Sequence, residues 1–290
     1  MKSIWSMALL CTACVASPAD EETGAVQQDV DSTNGTSLNG TSLNGTSLNG
    51  TSLNGTSLNG TSLNGTSLNG TSLNGTSLNG TSLNGTSLNG STWTGTASNG
   101  ATINLRIDNA TQGDVDTWFY GVSYQTDDSW APLCGLDSDG NEIQAIAVPG
   151  VWGASATYAG SSTLFTWACR HKTIAKCVEL GYKPWDGASD QMASCVRLLR
   201  ADYCGDGTSY TLDGTLLNLY DARGIQTDTE DWPLEAEWTP AGARCVGTNG
   251  ETRAQRVSHT NPPCLAALAS SSCGTFANGA VLIDELSPQY

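Results

Sequence analysis

Eight cysteines constrain this chain more than any other feature: Cys134, Cys169, Cys177, Cys195, Cys204, Cys245, Cys264 and Cys273. An even set spread over one domain's length, behind an export signal, reads as a disulfide framework. Eight cysteines allow on the order of a hundred pairings, so the connectivity is not in the sequence. Local structure still excludes one pair. In SDQMASCVRLLRADYC, projection at the helical period puts Met192, Cys195, Val196, Leu199 and Tyr203 in one stripe about 100° wide. Ser189 reads as the N-cap, Asp190 suits the first turn, and Gly205 reads as the left-handed stop. Cys195 and Cys204 are nine residues apart, about 13 Å along a helix, whereas a disulfide tolerates about 7 Å between Cα atoms. Each of them therefore pairs elsewhere. Zinc is disfavoured, because the domain has no Cys-x-x-Cys and His171 and His259 lack partners at ligand spacing.

Upstream, Ile174, Cys177 and Val178 form a shorter stripe that Gly181 ends. Pro184 blocks its continuation. GYKPW is then an aromatic turn between two helices, with Tyr182 and Trp185 covering the core. Downstream, TSYTL and TLLNLYD flank Asp213-Gly214, which predicts a hairpin. The segment RADYCGDG, Arg200 to Gly207, with KCVELGYKPW before it and LDGT after it, resembles the ADYC domain, named for that tetrapeptide. The resemblance runs from Trp118 to Val246 and is densest from Cys169 to Gly214. It implies one folded unit and an exported, often lipid-anchored protein of a Gram-negative bacterium, and it carries over no catalytic residue.

The N-terminus agrees with export. Residues 1–16 read as a signal peptide: Lys2 supplies the positive start and Ile4 to Ala13 a short apolar core. Ten such residues are too few to span a bilayer. Cys11-Thr12-Ala13-Cys14 is similar to a lipobox, which makes Cys14 the lipidation candidate. The alternative is cleavage near Ala16 and a free secreted protein. Residues 17–30 are an acidic tether without periodicity. The formal net charge is −16, of which −12 lies beyond the first 31 residues. Such a chain repels nucleic acid and anionic lipid, so the expected membrane contact is through the N-terminal lipid only.

Residues 31–105 hold a repeat. TSLNG recurs eleven times without change from Thr36 to Gly90, then decays in phase through STWTG, TASNG and ATINL. A period of five is too short for a helical solenoid. The pattern resembles the pentapeptide-repeat family, which implies a right-handed four-sided β-helix with Leu38, Leu43 and their successors pointing inward. A disordered spacer is the competing account. Burying one leucine yields about 1.5–3 kcal/mol, whereas ordering five residues costs about 5–10 kcal/mol. Only a long, capped stack with backbone bonds between coils closes that gap.

Residues 106–290 read as a disulfide-stapled α+β domain. VDTWFYGVSYQ, IQAIAV, SSTLFTWAC, LEAEW and VLIDEL are strand-like, and Asn261-Pro262 opens a short helix. The candidate chemistry is thin. Asp202, Asp206 and Asp213 cluster near the main helix, and paired carboxylates serve glycoside hydrolysis or calcium binding. The competing role is structural, with Asp202 on a nearby arginine and the others shaping turns. Asp137 and Asp139 are calcium candidates in half a loop motif, against a plain hairpin turn. No nucleophile elbow is present and no cofactor is expected. The sequence therefore supports an exported, lipid-anchored cell-envelope module that binds an extracellular polysaccharide or protein, on a pentapeptide-repeat β-helix stalk. A secreted glycoside-directed hydrolase using the acidic cluster, with calcium as its candidate ion, is the alternative.

Overall fold

The computed structural model describes residues 88–96, 102–113, 116–126, 129–153, 155–161, 165–170, 172–211, 214–248, 250–256, 259–276 and 279–288. The signal segment, Cys14, the tether and the repeat up to residue 87 lie outside these, as does Asp213.

Two antiparallel sheets enclose a helical layer. The first holds β1 (Thr92–Thr96), β2 (Thr102–Gln112), β3 (Trp118–Gln125), β4 (Trp130–Pro132), β5 (Ala145–Pro149) and β8 (Phe165–Cys169). Its order is β1-β2-β3-β5-β8, with β4 also on β3. A two-stranded ribbon, β6 (Val151–Trp152) and β7 (Tyr158–Ala159), leaves the end of β5. The second sheet runs β11-β10-β12-β9 and is built from β9 (Leu217–Asp221), β10 (Leu234–Thr239), β11 (Gly242–Val246) and β12 (Leu282–Leu286). Between the sheets lie α1 (Thr173–Glu179), against β5 and β8, and α2 (Ser189–Arg200), against β10, β11 and β12. Two short helices, α3 (Arg253–Arg256) and α4 (Leu265–Leu268), complete the fold.

This layering explains the burial pattern. Side chains alternate along a strand. Ile146 and Val148 of β5 therefore join the helix-side core, while Ala145 and Ala147 join a second core under the other face. With both faces covered, all five residues of β5 are buried. Tyr120, Phe165 and Trp167 fill the second core in edge-to-face contact. Helix α2 is enclosed nearly all round: Gln191 to Leu199 are buried without a break, and the single apolar stripe read from the sequence understates this.

Several boundaries move. Helix α2 has Ala188 at its N-cap position with no side-chain cap bond, and Ser189 is its first residue. It ends at Arg200 because Ala201 takes the left-handed conformation at φ 52°. The aromatic turn is a 3-10 turn, Pro184–Asp186, and both Tyr182 and Trp185 are buried. The hairpin expected at Asp213-Gly214 does not form: residues 208–211 are not a strand, and β9 pairs with β12 instead. Gly214 keeps the positive φ that the turn reading required. The boundary placed between residues 105 and 106 falls inside β2, whose strand residues start at Thr102. Leu88, in the last intact TSLNG unit, is 0% exposed and sits in the second core with Leu105 and Ile107. Gly90 donates its N–H to Ile107 O at 2.7 Å, and Ile107 donates to Ser91 O at 3.0 Å. The folded domain thus takes in the end of the repeat.

All eight cysteines pair. Cys134–Cys169 ties the segment after β4 to β8, Cys177–Cys195 ties α1 to α2, Cys204–Cys264 ties the end of α2 to the start of α4, and Cys245–Cys273 ties β11 to the approach to β12. Cys195 and Cys204 go to different partners, as expected, although the helix expected to run to about Tyr203 stops at Arg200 and leaves Cys204 beyond it.

Candidate functional site

Each letter of the ADYC tetrapeptide has a separate structural task. Ala201 terminates α2 in a left-handed conformation, and its N–H closes the last turn on Leu198 O. The Asp202 carboxylate is 0% exposed. It takes the Arg197 guanidinium and accepts the N–H groups of Asp206 at 3.1 Å and Gly207 at 2.9 Å. Tyr203 is buried and donates its hydroxyl to Glu235 Oε1 at 2.5 Å. Cys204 crosslinks to Cys264. Gly205 then passes so close to the β10–β11 turn that a Cβ there would lie 1.8 Å from Ala241 O. Glycine is required at that point by space as well as by its φ of +70°.

Of the acids singled out in the sequence, Asp202 and Asp206 lie side by side, with the Asp206 N–H on Asp202 Oδ1. Burial holds the Asp202 carboxyl above its usual range, with Arg197 opposing. Its ion-pair partner is Arg197; Arg200 donates to Gly207 O. Asp206 is exposed and accepts the Thr208 N–H at 2.8 Å, shaping a turn. Asp137 does the same in its own hairpin, accepting from Asp139 N at 2.9 Å and Asn141 N at 2.8 Å, and Asp139 is exposed. Four tryptophans, Trp152, Trp167, Trp185 and Trp238, are core residues, while Trp130 and Trp232 are half-buried.

A charged centre that the sequence did not reveal lies beneath the motif. Arg253 is 0% exposed. Its Nε donates to Glu235 Oε2 and its Nη2 to Asp284 Oδ2, both at 2.7 Å. The Arg253 N–H also meets Glu235 Oε1 at 2.5 Å, and Trp238 Nε1 donates to Asp284 Oδ1 at 2.8 Å. Burial and the neighbouring Glu235 push the Asp284 carboxyl well above the carboxylate range, with Arg253 opposing. Next to it, Glu237 is buried and its Oε1 accepts three successive backbone N–H groups, of Gly274, Thr275 and Phe276, at 2.7–2.8 Å. Glu237 Oε2 lies 3.4 Å from Cys245 Sγ. Glu237, Cys245 and Cys273 have the spacing of metal ligands. Both sulfurs, however, are spent in a disulfide, which leaves the carboxylate alone. In LEAEW the alternating glutamates look like a solvent face. Tyr203, α3 and the loop after Cys273, all distant in sequence, bond to them.

These acids set the pH response. Burial, as the first cause in each case, raises Asp202, Asp284, Glu142, Asp186 and Glu285. Asp116 is also desolvated, but Lys183 and Trp185 bring it below its ordinary value. A carboxyl raised in the folded state binds more protons folded than unfolded between its two pKa values. Its stabilisation is complete below the unfolded value and is lost as pH rises through the folded one. Asp116 acts oppositely and only at strongly acidic pH. Melting temperature should therefore climb as pH falls from neutral towards the unfolded carboxylate value of about 4, each 1 kcal/mol gained showing as about 2–4 °C. Calorimetry of the oxidised chain across that range checks it; a fall in melting temperature over the same interval would contradict the assignment.

A cavity of about 470 Å³ lies beside β9. Leu216, Leu217, Asn218 and Leu219 form one wall, and Ile225, Thr229, Glu230 and Trp232 belong to the other. Asn218 organises its floor: Nδ2 donates to Asp228 Oδ1 at 2.7 Å and Glu285 Oε2 at 2.9 Å. Burial raises Glu285, opposed by these amide bonds. This volume is in the range of small-ligand and peptide clefts. Isolated leucines and one asparagine carry no motif that sequence alone could have marked.

Comparison with known proteins agrees with the motif and with the start of the domain. The ADYC domain model matches residues 85–252, and pentapeptide repeats in eight copies match residues 34–65 and 57–92. No curated protein and no solved structure matches the chain. A match over more than half the sequence, carried by a motif whose four residues each hold the fold together, shows that the chain belongs to the ADYC domain family, with pentapeptide repeats preceding the domain.

Proposed function

We propose that the protein is exported, acylated at Cys14 and held at the outer membrane or cell surface, where it presents its ADYC domain as a binding module. The observation that carries this is the pairing of all eight domain cysteines. Such a set fits an extracellular or periplasmic protein. The CTAC sequence at the end of the apolar segment supplies the anchor. Among the described residues no helix is long and apolar enough to cross a membrane.

In this proposal the repeat is a right-handed β-helix stalk that lifts the domain from the bilayer. The match of pentapeptide repeats over residues 34–65 and 57–92 supports it. The ligand is an extracellular polysaccharide or protein. The test is metabolic labelling with a fatty-acid analogue, followed by detergent phase partition. Wild type should label and enter the detergent phase. Cys14→Ser should lose both properties and remain as precursor or soluble protein. Unchanged labelling and partition in Cys14→Ser would refute the anchor.

A further inference from the structure

β9 is an edge strand of its sheet, at the opposite end from β11. Its pairing with β12 decides which backbone groups are left over. Ala222 N–H donates to Val281 O and Ser287 N–H donates to Leu216 O. In an antiparallel ladder alternate residues face the partner strand, so Leu216, Asn218 and Tyr220 turn their backbone groups to β12. Leu217, Leu219 and Asp221 turn theirs to the outer edge. Asp221 spends its N–H on Gln226 O at 3.2 Å, which is the first rung of a returning strand. No second rung follows among the described residues. The chain swings aside to the Asn218 side chain, where Thr229 N–H meets Oδ1 and Nδ2 meets Glu230 O, both at 3.4 Å. The cavity beside β9 is lined by that strand and by residues from Ile225 to Trp232 of the returning chain.

We propose that this groove binds an extended, basic polypeptide segment, which adds a strand to the outer edge of β9. The inference rests on the reading of the domain as a binding module and narrows its ligand to a polypeptide. Leu217 and Leu219 offer donor–acceptor pairs about 7 Å apart, the two-residue repeat of a strand. A sugar chain has no matching alternation. Leu216, 37% exposed at the groove, offers an apolar contact to a side chain of the added strand. The segment opposite carries exposed Asp228, Glu230 and Asp231, and no Lys, Arg or His lines the cavity. A second copy would bring the same acids against these in a twofold pairing, so the charge favours a basic partner.

The test uses the full-length oxidised protein and a fluorescein-labelled, end-capped Lys-Val-Lys-Val-Lys-Val peptide, read by fluorescence anisotropy. Two control peptides are run: Glu in place of every Lys, and methyl groups on alternate backbone nitrogens. The lysine peptide should bind roughly tenfold or more tightly than either control, with affinity falling at about 0.5 M salt. The exposed charge reversal Glu230→Lys/Asp231→Lys should lose roughly tenfold for the same peptide. Hydrogen exchange at Leu217 and Leu219 should slow when the peptide is present. No binding, equal binding of either control, an unaffected variant, or unchanged exchange at those two amides would overturn the proposal. Displacement of the peptide by a neutral oligosaccharide, or concentration-dependent self-association through this edge, would overturn it too. Acylation of Cys14 is measured independently, so failure here leaves the anchoring proposal standing.

Discussion

Arg253→Met loses about 3–5 kcal/mol of stability, the usual cost of removing one partner from a buried ion pair. Glu235 and Asp284 both address this guanidinium, and all three side chains are enclosed. Without the cation, the Glu235 and Asp284 carboxyls, already in contact with each other, are left buried with no positive partner, and the Tyr203 hydroxyl and Trp238 indole supply hydrogen bonds but no opposing charge. Native stabilities are about 5–15 kcal/mol, so the loss is a large fraction of the whole. Removing the charges together, in Arg253→Met/Glu235→Gln/Asp284→Asn, should recover much of it, since no uncompensated ion then remains. Urea denaturation of the oxidised proteins measures both steps. A single variant within about 1 kcal/mol of wild type would show that the cluster contributes little.

Loss of the Cys204–Cys264 bridge, in Cys204→Ser/Cys264→Ser, has a comparable effect. It joins residues 60 apart, and Cys177–Cys195 joins residues 18 apart. Chain-entropy arguments give about 4 kcal/mol for the former and about 3 kcal/mol for the latter. The longer loop is therefore the more costly to open. Two further bridges have separations of 35 and 28 residues. Together the four approach the full stability of a domain, so complete reduction should unfold it at ambient temperature. Denaturation midpoints of the two double variants give the ranking. Reversed ranking would mean that native packing around the bridge outweighs the entropy of the unfolded chain.

The position of the Cys204 bridge also shows what was legible in advance. Helix rise leads to the expectation that Cys195 and Cys204 do not pair; they do not, although the helix itself stops at Arg200, short of Cys204. The partners Cys177 and Cys264 do not follow, because they depend on how α1 and α4 are brought against α2. The resemblance to the ADYC domain was visible in RADYCGDG, while the reason for each letter was not. Ala201 looks like a helix residue and is the helix stop. Gly205 looks like the stop and is a point of close approach to Ala241.

By itself the sequence determined the features that depend on neighbours a few residues away. These are the two helices, the aromatic turn, most strand cores, the repeat with its period of five, and the even cysteine set that calls for disulfides. The tertiary structure alone decided everything that depends on which distant surface covers a residue. It pairs β9 with β12 and not with residues 208–211, because a strand is selected by long-range partners on a shared core and a turn signal only permits a hairpin. It buries Glu235 and Glu237, because Arg253 and the backbone N–H groups of residues 274–276 arrive from later in the chain to neutralise them. It draws Leu88 out of a uniform repeat into the domain, because that leucine alone among identical copies is followed directly by β1 and β2, the strands that hold it over the core.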